Sequence, residues 1–325
     1  SFSPSGKLSD LYSYDPSNDP AYNNTESASS GNSGTNIQYS EGLYYGYRWY
    51  ETADAEGYFE AQGITYEDQV QFPFGFGLSY TTFEWEVMSI AVGEENVSLG
   101  SAIDLTDANK NTTITLKVLV TNTGDWYGKD VVELYYTPEY ITGEIEKAEV
   151  NLLDFDKTVS LEPGQSEELT LTFTAYDMAS FDATDANNNG ASTYELDAGT
   201  YTISLRTDSH TLKMNGSEEM ENATIDFSVA DDITFPEDPV TDETVEPLFT
   251  GEDAYAGVPI DGSTAGVTQE YLSRADFEGT FPRERAPIPT NAAEANQIAS
   301  NWYDPTDDTD TAPTQGVDNG ADTLL

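Results

Sequence analysis

The side chains with the greatest chemical potential in this sequence are its carboxylates, since 60 of the 325 residues are Asp or Glu. Two carboxylates can act as general acid and base, but a chain this acidic contains accidental pairs throughout, so spacing alone identifies no catalytic pair. His210 is the only histidine, and its neighbours do not form the pattern of a nucleophile triad or of a histidine-rich metal site. We therefore predict no catalytic residue, and we expect a packing or surface role for His210.

One acidic loop carries oxygen-bearing side chains at alternate positions. Asp185, Asn187 and Asn189 are followed by a glycine, as in the first half of a calcium-binding loop. That pattern requires a Glu six residues after the glycine, where this chain has Leu196, and Glu195 lies one position early. A hairpin loop explains the same residues. We expect the hairpin, keep the three side chains as weak calcium candidates, and predict no other metal and no cofactor.

Two blocks of aromatic residues and glycines stand out, at 41–50 and 72–80. Flat rings stack on the faces of pyranose sugars, so the blocks raise a sugar-binding hypothesis. Rings interleaved with glycines equally suit loop segments pressed against a neighbouring surface, and we favour that interpretation. For Arg48 the alternatives are a hydroxyl ligand of a sugar and, favoured, an ion pair with a carboxylate. The candidate substrate-binding residues are Tyr45, Tyr47, Arg48, Trp49 and Phe74.

The elements that position these residues are predicted to be mainly strands. From residue 80 onward apolar and polar residues alternate, most clearly over 112–122, where a turn follows. Further strands are predicted over residues 131–136, 169–173, 201–205 and 225–229. Short strands separated by turns are typical of an antiparallel β-sandwich. The position of Tyr201 suits a tyrosine corner, in which the hydroxyl bonds to the main chain just upstream.

The flanking segments have different compositions. Residues 1–40 are rich in Ser, Asn, Gly and Asp, which predicts loops lying on another domain. Beyond about residue 231 the chain is acidic and dotted with proline, as extended linkers are. An island at 271–282 has enough apolar and basic character to dock on a surface.

The charge of the chain restricts its partners and its location. Twelve basic residues against 60 acidic ones give a formal net charge of -48, which repels nucleic acid and anionic lipid. No apolar run reaches the length needed to cross a bilayer. Such a charge favours solubility, so we expect an extracellular or cell-surface protein with neither nucleic acid nor membrane as a partner.

Three motifs occur in an order that resembles a known family. They are PSGKL at 4–8, EGLYYGYR at 41–48 and FPFGFGLSYT at 72–81. Together they resemble the end of the α/β sandwich domain of family 3 glycoside hydrolases of the β-glucosidase type, after which many members carry a fibronectin type III-like domain. The island at 271–282 resembles the connection in bacterial members with a permuted domain order, in which the (β/α)8 barrel follows.

The resemblance implies a mainly β architecture in three parts. Residues 1–79 would be the incomplete, loop-rich C-terminal portion of the α/β sandwich domain, and 80–230 a fibronectin type III-like antiparallel β-sandwich. Residues 231–325 would be an acidic, largely extended linker leading towards the barrel. The chain is then expected to be a middle section of a longer enzyme.

The resemblance also implies a function. Family members are retaining, exo-acting enzymes that use an Asp on the barrel and a Glu on the α/β domain to release terminal β-D-glucosyl residues. The Asp lies in a Ser-Asp-Trp type motif that this chain lacks, and the Glu precedes the PSGKL motif. The chain would therefore have a structural role, be inactive alone, and have as partners the barrel, the remainder of the α/β domain and a β-glucoside. The alternatives are an adhesion module and a carbohydrate-binding module.

Overall fold

Two antiparallel sheets that enclose one hydrophobic core form the centre of the computed structural model, which describes residues 3–24, 40–246 and 271–282. The strands are β1 (Tyr12–Ser13), β2 (Val70–Phe72), β3 (Phe83–Val92), β4 (Glu95–Val97), β5 (Ile103–Asp104), β6 (Thr113–Asn122), β7 (Val131–Thr137), β8 (Asn151–Lys157), β9 (Ser166–Thr174), β10 (Ser180–Phe181), β11 (Tyr194–Leu196), β12 (Gly199–Arg206), β13 (Met214–Asn215), β14 (Glu218–Glu219), β15 (Thr224–Val229) and β16 (Ile233–Phe235). The helices are α1 (Tyr47–Ala55), α2 (Tyr58–Ala61), α3 (Tyr66–Gln69) and α4 (Phe277–Thr280), with 3-10 turns at Pro16–Asn18, Pro20–Asn24, Ala175–Met178 and Arg274–Asp276.

A four-stranded and a five-stranded sheet form the sandwich. One sheet has the order β4-β3-β6-β9 and the other the order β5-β15-β12-β7-β8. Neighbouring strands are antiparallel except for the short parallel pair of β5 and β15. A small sheet of β10, β11 and β16 and two short ribbons complete the structure. The predicted mainly β, antiparallel sandwich is confirmed. No helix among the described residues is both long and apolar enough to span a bilayer.

The alternation predicted for β6 is confirmed by burial. Ile114, Leu116, Val118 and Val120 are fully buried, whereas the residues between them are half-buried. They meet buried side chains of both sheets, including those of Trp85, Leu171, Phe173, Tyr201, Ile203, Leu205 and Phe227. Burying one such aliphatic side chain contributes roughly 1.5–3 kcal/mol, so this inner face supplies most of the stability of the sandwich.

Strand β7 is buried on both faces. Val132, Leu134 and Tyr136 belong to the sandwich core, while Glu133 and Tyr135 point to the opposite face and are also buried. The outer face is covered because the segments before residue 80 pack on it, including α1 and the loop after β2. The sandwich thus carries a second layer, which we call the helical layer, made of α1–α3 and residues 271–282.

The Tyr201 hydroxyl donates to the main-chain oxygen of Asp197 at 3.3 Å, so the predicted tyrosine corner is confirmed. Strand β16 pairs with β11, so regular pairing continues past the boundary expected at residue 230. The rest of the predicted linker, 247–270 and 283–325, lies outside the described residues.

Candidate functional site

The first aromatic block forms the inner face of the helical layer, and part of it is a helix instead of the loop favoured from its glycines. Helix α1 begins after Gly46, whose φ of 56° suits glycine, and it ends at Ala55. Trp49 is fully buried and its ring lies 5.0 Å from that of Phe277, centre to centre. Its Nε1 donates to the main-chain oxygen of Asn18 at 3.0 Å. Trp49 therefore holds three chain segments together.

Tyr47 and Phe74 are brought together on the outer face of the five-stranded sheet. Their rings stack with centres 4.6 Å apart and planes at 24°. The Tyr47 ring also meets Tyr135 of β7 edge-on, and its hydroxyl accepts from the amide of Leu152 at 3.0 Å. These two candidates thus join the two aromatic blocks to the sandwich.

Tyr45 and Arg48 lie at the edge of the same layer. Tyr45 is 54% exposed, and the guanidinium carbon of Arg48 is 5.8 Å from the centre of its ring. The ion pair favoured for Arg48 is not found in the part of the chain that the structure describes, and its buried Nε has no hydrogen-bond partner there. Of the five candidates, Trp49 is therefore buried, Tyr45 is exposed, and Tyr47, Arg48 and Phe74 are half-buried.

A buried carboxylate of α1 joins the helical layer to the sandwich. Oε1 of Glu51 accepts hydrogen bonds from the hydroxyls of Tyr66 and Ser209 at 2.7 and 2.9 Å. Its Oε2 lies 3.0 Å from Nδ1 of His210. The His210 ring stacks on Tyr66 with centres 3.8 Å apart and planes at 7°. The cluster links α1, α3 and the loop after β12.

Burial and charge shift the pKa values of Tyr66 and His210 in this cluster. Burial, reinforced by the Glu51 carboxylate, raises the pKa of the Tyr66 hydroxyl far above its ordinary value. For His210, burial opposes the charged form, but the hydrogen bond and charge of Glu51 outweigh it and raise the pKa. A His–Glu pair can transfer protons, but Glu51 is directed at protein groups and its side chain is only 4% exposed. The contacts of this cluster hold the helical layer against the sandwich.

A second buried carboxylate lies under the other two motifs. Glu133 of β7 accepts from the Tyr135 hydroxyl at 2.7 Å, and Nζ of Lys7 lies 3.5 Å from its Oε1. Burial, partly offset by the charge of Lys7, raises the pKa of Glu133 to about 7. A Cβ on Gly75 would collide with this carboxylate, and φ there is +81°, so the second aromatic block requires glycine at this point.

A groove of about 420 Å³ lies beside these motifs, between residues 5–7, 77–84 and the edge of the sandwich. Its lining includes Lys7 and Lys213. Lys7 donates to the carbonyl of Thr207, and Lys213 donates to that of Phe83 at 2.6 Å. Both ammonium groups therefore bind main-chain oxygens at the wall of the groove.

Arg274 joins residues 271–282 to the rest of the helical layer and to the sandwich. Its guanidinium donates to Glu56 at 2.6 Å, to Glu149 at 2.7 Å and to the main-chain oxygen of Lys147 at 3.1 Å. It also lies 4.4 Å from the centre of the Tyr140 ring. The island is thus fastened both to α1 and to the loop between β7 and β8.

The calcium candidates lie together in the loop between β10 and β11. Asp185 Oδ1 accepts from the amide of Gly190 at 2.9 Å, and Asn187 Oδ1 accepts from that of Asn189 at 3.1 Å. Asn189 Oδ1 accepts from the amide of Ala191 at 2.9 Å. Within the described ranges no three His, Asp or Glu side chains form a metal-binding group.

The acidic partners in these clusters were not predicted from the sequence. Glu51, Glu133 and Glu149 are three of 60 carboxylates, and nothing next to them distinguishes them by type. Only Glu133 carried a usable signal, because it interrupts the apolar run from Val131 to Tyr136. A charged residue within a strand that is buried on both faces requires a partner.

Known proteins match this chain over half to three-quarters of its length. The fibronectin type III-like domain family matches residues 130–209. The chain is similar to beta-glucosidase A of Butyrivibrio fibrisolvens, with 34% identity over 63% of this chain and 22% of that protein. It is also similar to thermostable beta-glucosidase B of Acetivibrio thermocellus, with 34% identity over 53% of this chain and 18% of that protein. The chain spans about a fifth of the length of these curated relatives.

Solved structures give the same result. A beta-glucosidase from Paenibacillus barengoltzii superposes with a TM-score of 0.54 and 29% identity, over 73% of this chain and 22% of that one. Beta-glucosidase 3B from Thermotoga neapolitana superposes with a TM-score of 0.51 and 28% identity, over 72% of this chain and 26% of that one. Both similarities extend beyond the 80 residues of the matched domain family, so they include part of the flanking segments.

Proposed function

Because this chain resembles the C-terminal region of family 3 β-glucosidases, including their fibronectin type III-like domain, we propose that it is the non-catalytic part of a retaining, exo-acting β-glucosidase. Its role would be to pack against the domains that carry the nucleophile and the acid/base. The intact enzyme would hydrolyse terminal β-D-glucosyl residues. The chain's partners would be the (β/α)8 barrel and the remainder of the α/β domain.

The observation that carries this proposal is that the buried carboxylates bind groups of the protein itself. The buried Glu51 and Glu133 bind protein donors beneath the family motifs, and the half-buried Glu146 accepts from the Ser273 hydroxyl at 2.6 Å. A carboxylate that acts on a glycosidic bond must instead face the sugar with an oxygen available for proton transfer or attack. These three carboxylates stabilise the interface between the layers.

An exposed apolar surface supports the packing role. Leu78, Tyr80, Trp126 and Tyr127 are each at least 59% exposed. The two loops that carry them are held together, since the Thr81 hydroxyl donates to the Asn122 side chain at 2.7 Å. Exposed apolar side chains on neighbouring loops can form an interaction surface. We assign this surface, the 78–80/126–127 patch, to contact with the rest of the enzyme.

The activity assay compares this 325-residue chain with the longer polypeptide that contains it, using an aryl β-glucoside. We expect no turnover by the chain alone and, for the longer protein, hydrolysis whose first product by NMR is the β-anomer. Turnover by the chain alone would contradict the structural role. An inactive longer protein would contradict the β-glucosidase assignment.

The patch is tested separately with Trp126→Ala. We expect this variant to lower the Tm of the longer protein and to leave the Tm of this chain unchanged. Phe155→Ala is the matched control, because Phe155 is as exposed but lies on the edge strand β8. If this chain alone is retained by a β-glucan and Trp126→Ala abolishes retention, the patch is a carbohydrate-binding surface instead.

A further inference from the structure

The hairpin between β10 and β11 gathers several carboxylates out of contact with water. Asp182, Glu195 and Asp197 are only 2%, 0% and 3% exposed. Asp182 accepts from the amides of Thr184 and Ala186 at 3.0 and 2.6 Å. These carboxylates surround the loop whose alternating side chains resemble half of a calcium site.

The positive groups that the structure places here do not satisfy all three carboxylates. Lys147 forms a buried ion pair with Asp197, whose other oxygen accepts from the Asn187 amide at 3.1 Å. Glu195 accepts from the side-chain amide nitrogen of Asn189 on Oε2, and the side chain of Asn187 also interacts with this carboxylate. Its Oε1 is buried and has no hydrogen-bond partner.

An unpartnered carboxylate oxygen in the interior is unfavourable. Glu195 is fully buried, and the like-charged carboxylates of Asp197 and Asp182 lie near it. A buried charge is normally retained only where a counter-charge or a metal compensates it. The contact with Asn189 shows that the Glu195 carboxylate faces the loop, so a cation held by the loop would provide that compensation.

We propose that this hairpin binds one Ca²⁺ through the carboxylates of Asp185 and Glu195 and the amide oxygens of Asn187 and Asn189, with main-chain carbonyls completing the shell. Each amide Oδ1 accepts one N–H in the structure and retains a second lone pair. Only two of the ligands are acidic, which agrees with the lack of a three-carboxylate group among the described residues. Glu195 takes the part of the Glu that calcium loops place one residue later.

Calcium fits these ligands better than magnesium. Ca²⁺ accepts six to eight oxygens in flexible geometry, including amide and main-chain oxygens, whereas Mg²⁺ requires a compact octahedron and keeps its waters. Neutral amides stand at two positions where calcium loops can carry carboxylates, and this reduces the affinity for Ca²⁺. We expect a Kd on the order of 10⁻⁴ M.

The binding test uses the full 325-residue chain, freed of divalent ions with EDTA and titrated with CaCl₂ by calorimetry in 0.15 M NaCl. We expect one Ca²⁺ per chain and a rise in Tm of about 5 °C at 5 mM Ca²⁺. MgCl₂ at the same concentration controls for diffuse attraction to the net charge of -48. An equal effect of the two salts would overturn the proposal.

Two substitutions move the affinity in opposite directions. Glu195→Gln should weaken Ca²⁺ binding at least tenfold, and it should stabilise the calcium-free chain because it removes a buried charge. Asp125→Asn makes the same change of charge in an exposed turn outside the loop and should shift the Kd less than twofold. Equal Kd values for the two variants would refute the site.

Asn189→Asp tests the proposal through an expected gain in affinity for Ca²⁺. It adds a third carboxylate ligand, so we expect Ca²⁺ to bind at least threefold more tightly than to the unchanged chain. This outcome remains measurable if Glu195→Gln fails to fold. A Kd that is unchanged or weaker in Asn189→Asp would overturn the proposal.

Discussion

Three buried glutamates of this protein differ because their partners differ. Glu51 receives two hydroxyl hydrogen bonds and a histidine. Glu133 receives one hydroxyl and a lysine 3.5 Å away, and its pKa rises to about 7. Glu195 has only neutral side-chain amides as partners, and its Oε1 has no hydrogen-bond partner. The cost of burying a charge falls as the number and charge of its donors increase, so Glu51 is the strongest link in the set.

The contact of His210 with Glu51 predicts a pH dependence of stability. Because folding raises the pKa of His210, the ion pair is fully formed below the unfolded value of about 6.5 and is lost as the pH rises through the folded value. Unfolding by urea from pH 6 to pH 8.5 should therefore show falling stability. His210→Gln, which cannot be charged, should reduce this slope and leave the part that comes from Glu133, whose pKa in the folded protein is about 7; parallel slopes for the two proteins would contradict the interpretation.

Asp54 and Asp208 also face His210, and the Arg206 guanidinium binds the main-chain oxygens of Ser209 and His210. Asp54 is the useful control, because it contributes charge without a direct hydrogen bond to the ring. Asp54→Asn should reduce the slope less than His210→Gln does. A larger reduction would place the main interaction at Asp54.

Residue roles were predictable where they depend on local sequence. Tyr201 was assigned to a tyrosine corner because its partner lies four residues away. The partners of His210 and Lys7 lie 159 and 200 residues away, so local patterns could not reveal them. Arg48 was expected to be paired because arginine usually is, but its described neighbour is a tyrosine ring. In these cases the fold decides which partner each side chain contacts.

At the scale of elements, the strands of the sandwich were predictable and the helix was not. Strand β6 has one face in the core and one half-exposed, so its burial repeats with a period of two. Helix α1 lies between the sheet and residues 271–282, and buried residues run continuously from Trp49 to Ala53. A helix covered on more than one side loses the amphipathic pattern by which it would be recognised.

The two faces of β6 give a direct test of the sandwich. Leu116 is fully buried in the core, whereas Leu119 lies half-exposed on the opposite face of the same strand. Leu116→Ala should lower the free energy of unfolding by about 2–5 kcal/mol, and Leu119→Ala by about 1 kcal/mol. Both are measured by urea denaturation. Equal losses would mean that the register of β6 is wrong.

The docking of residues 271–282 depends on Arg274. Arg274→Ala leaves Glu149 and Glu56 without their donor, and we expect it to weaken docking by about 2 kcal/mol. Hydrogen exchange should accelerate in 271–282 and on α1 but remain unchanged in β6. Arg274→Lys is the control, since it keeps the charge but not the planar fork, and should give an intermediate effect. Unchanged hydrogen exchange in Arg274→Ala would refute the role of Arg274 in docking residues 271–282.

At the scale of the whole molecule, the net charge of -48 dominates the electrostatics. Compaction brings these charges together, so repulsion opposes folding until salt screens it. We expect the Tm to rise by several degrees between 0.05 and 1 M NaCl, as measured by calorimetry. Choline chloride should act in the same way, which separates screening from sodium binding. A falling Tm would show that local pairs such as Lys117–Glu168 outweigh the repulsion.

The position of Phe277 against Trp49 has a consequence for biosynthesis. The two rings lie 5.0 Å apart but are separated by about 230 residues of chain. At about 5–20 residues per second, a ribosome needs roughly 10–45 seconds to make the second after the first. During that interval Trp49 lacks its contact with Phe277. We therefore expect the nascent helix α1 to bind chaperones, and we expect the sandwich to fold before α1 is covered.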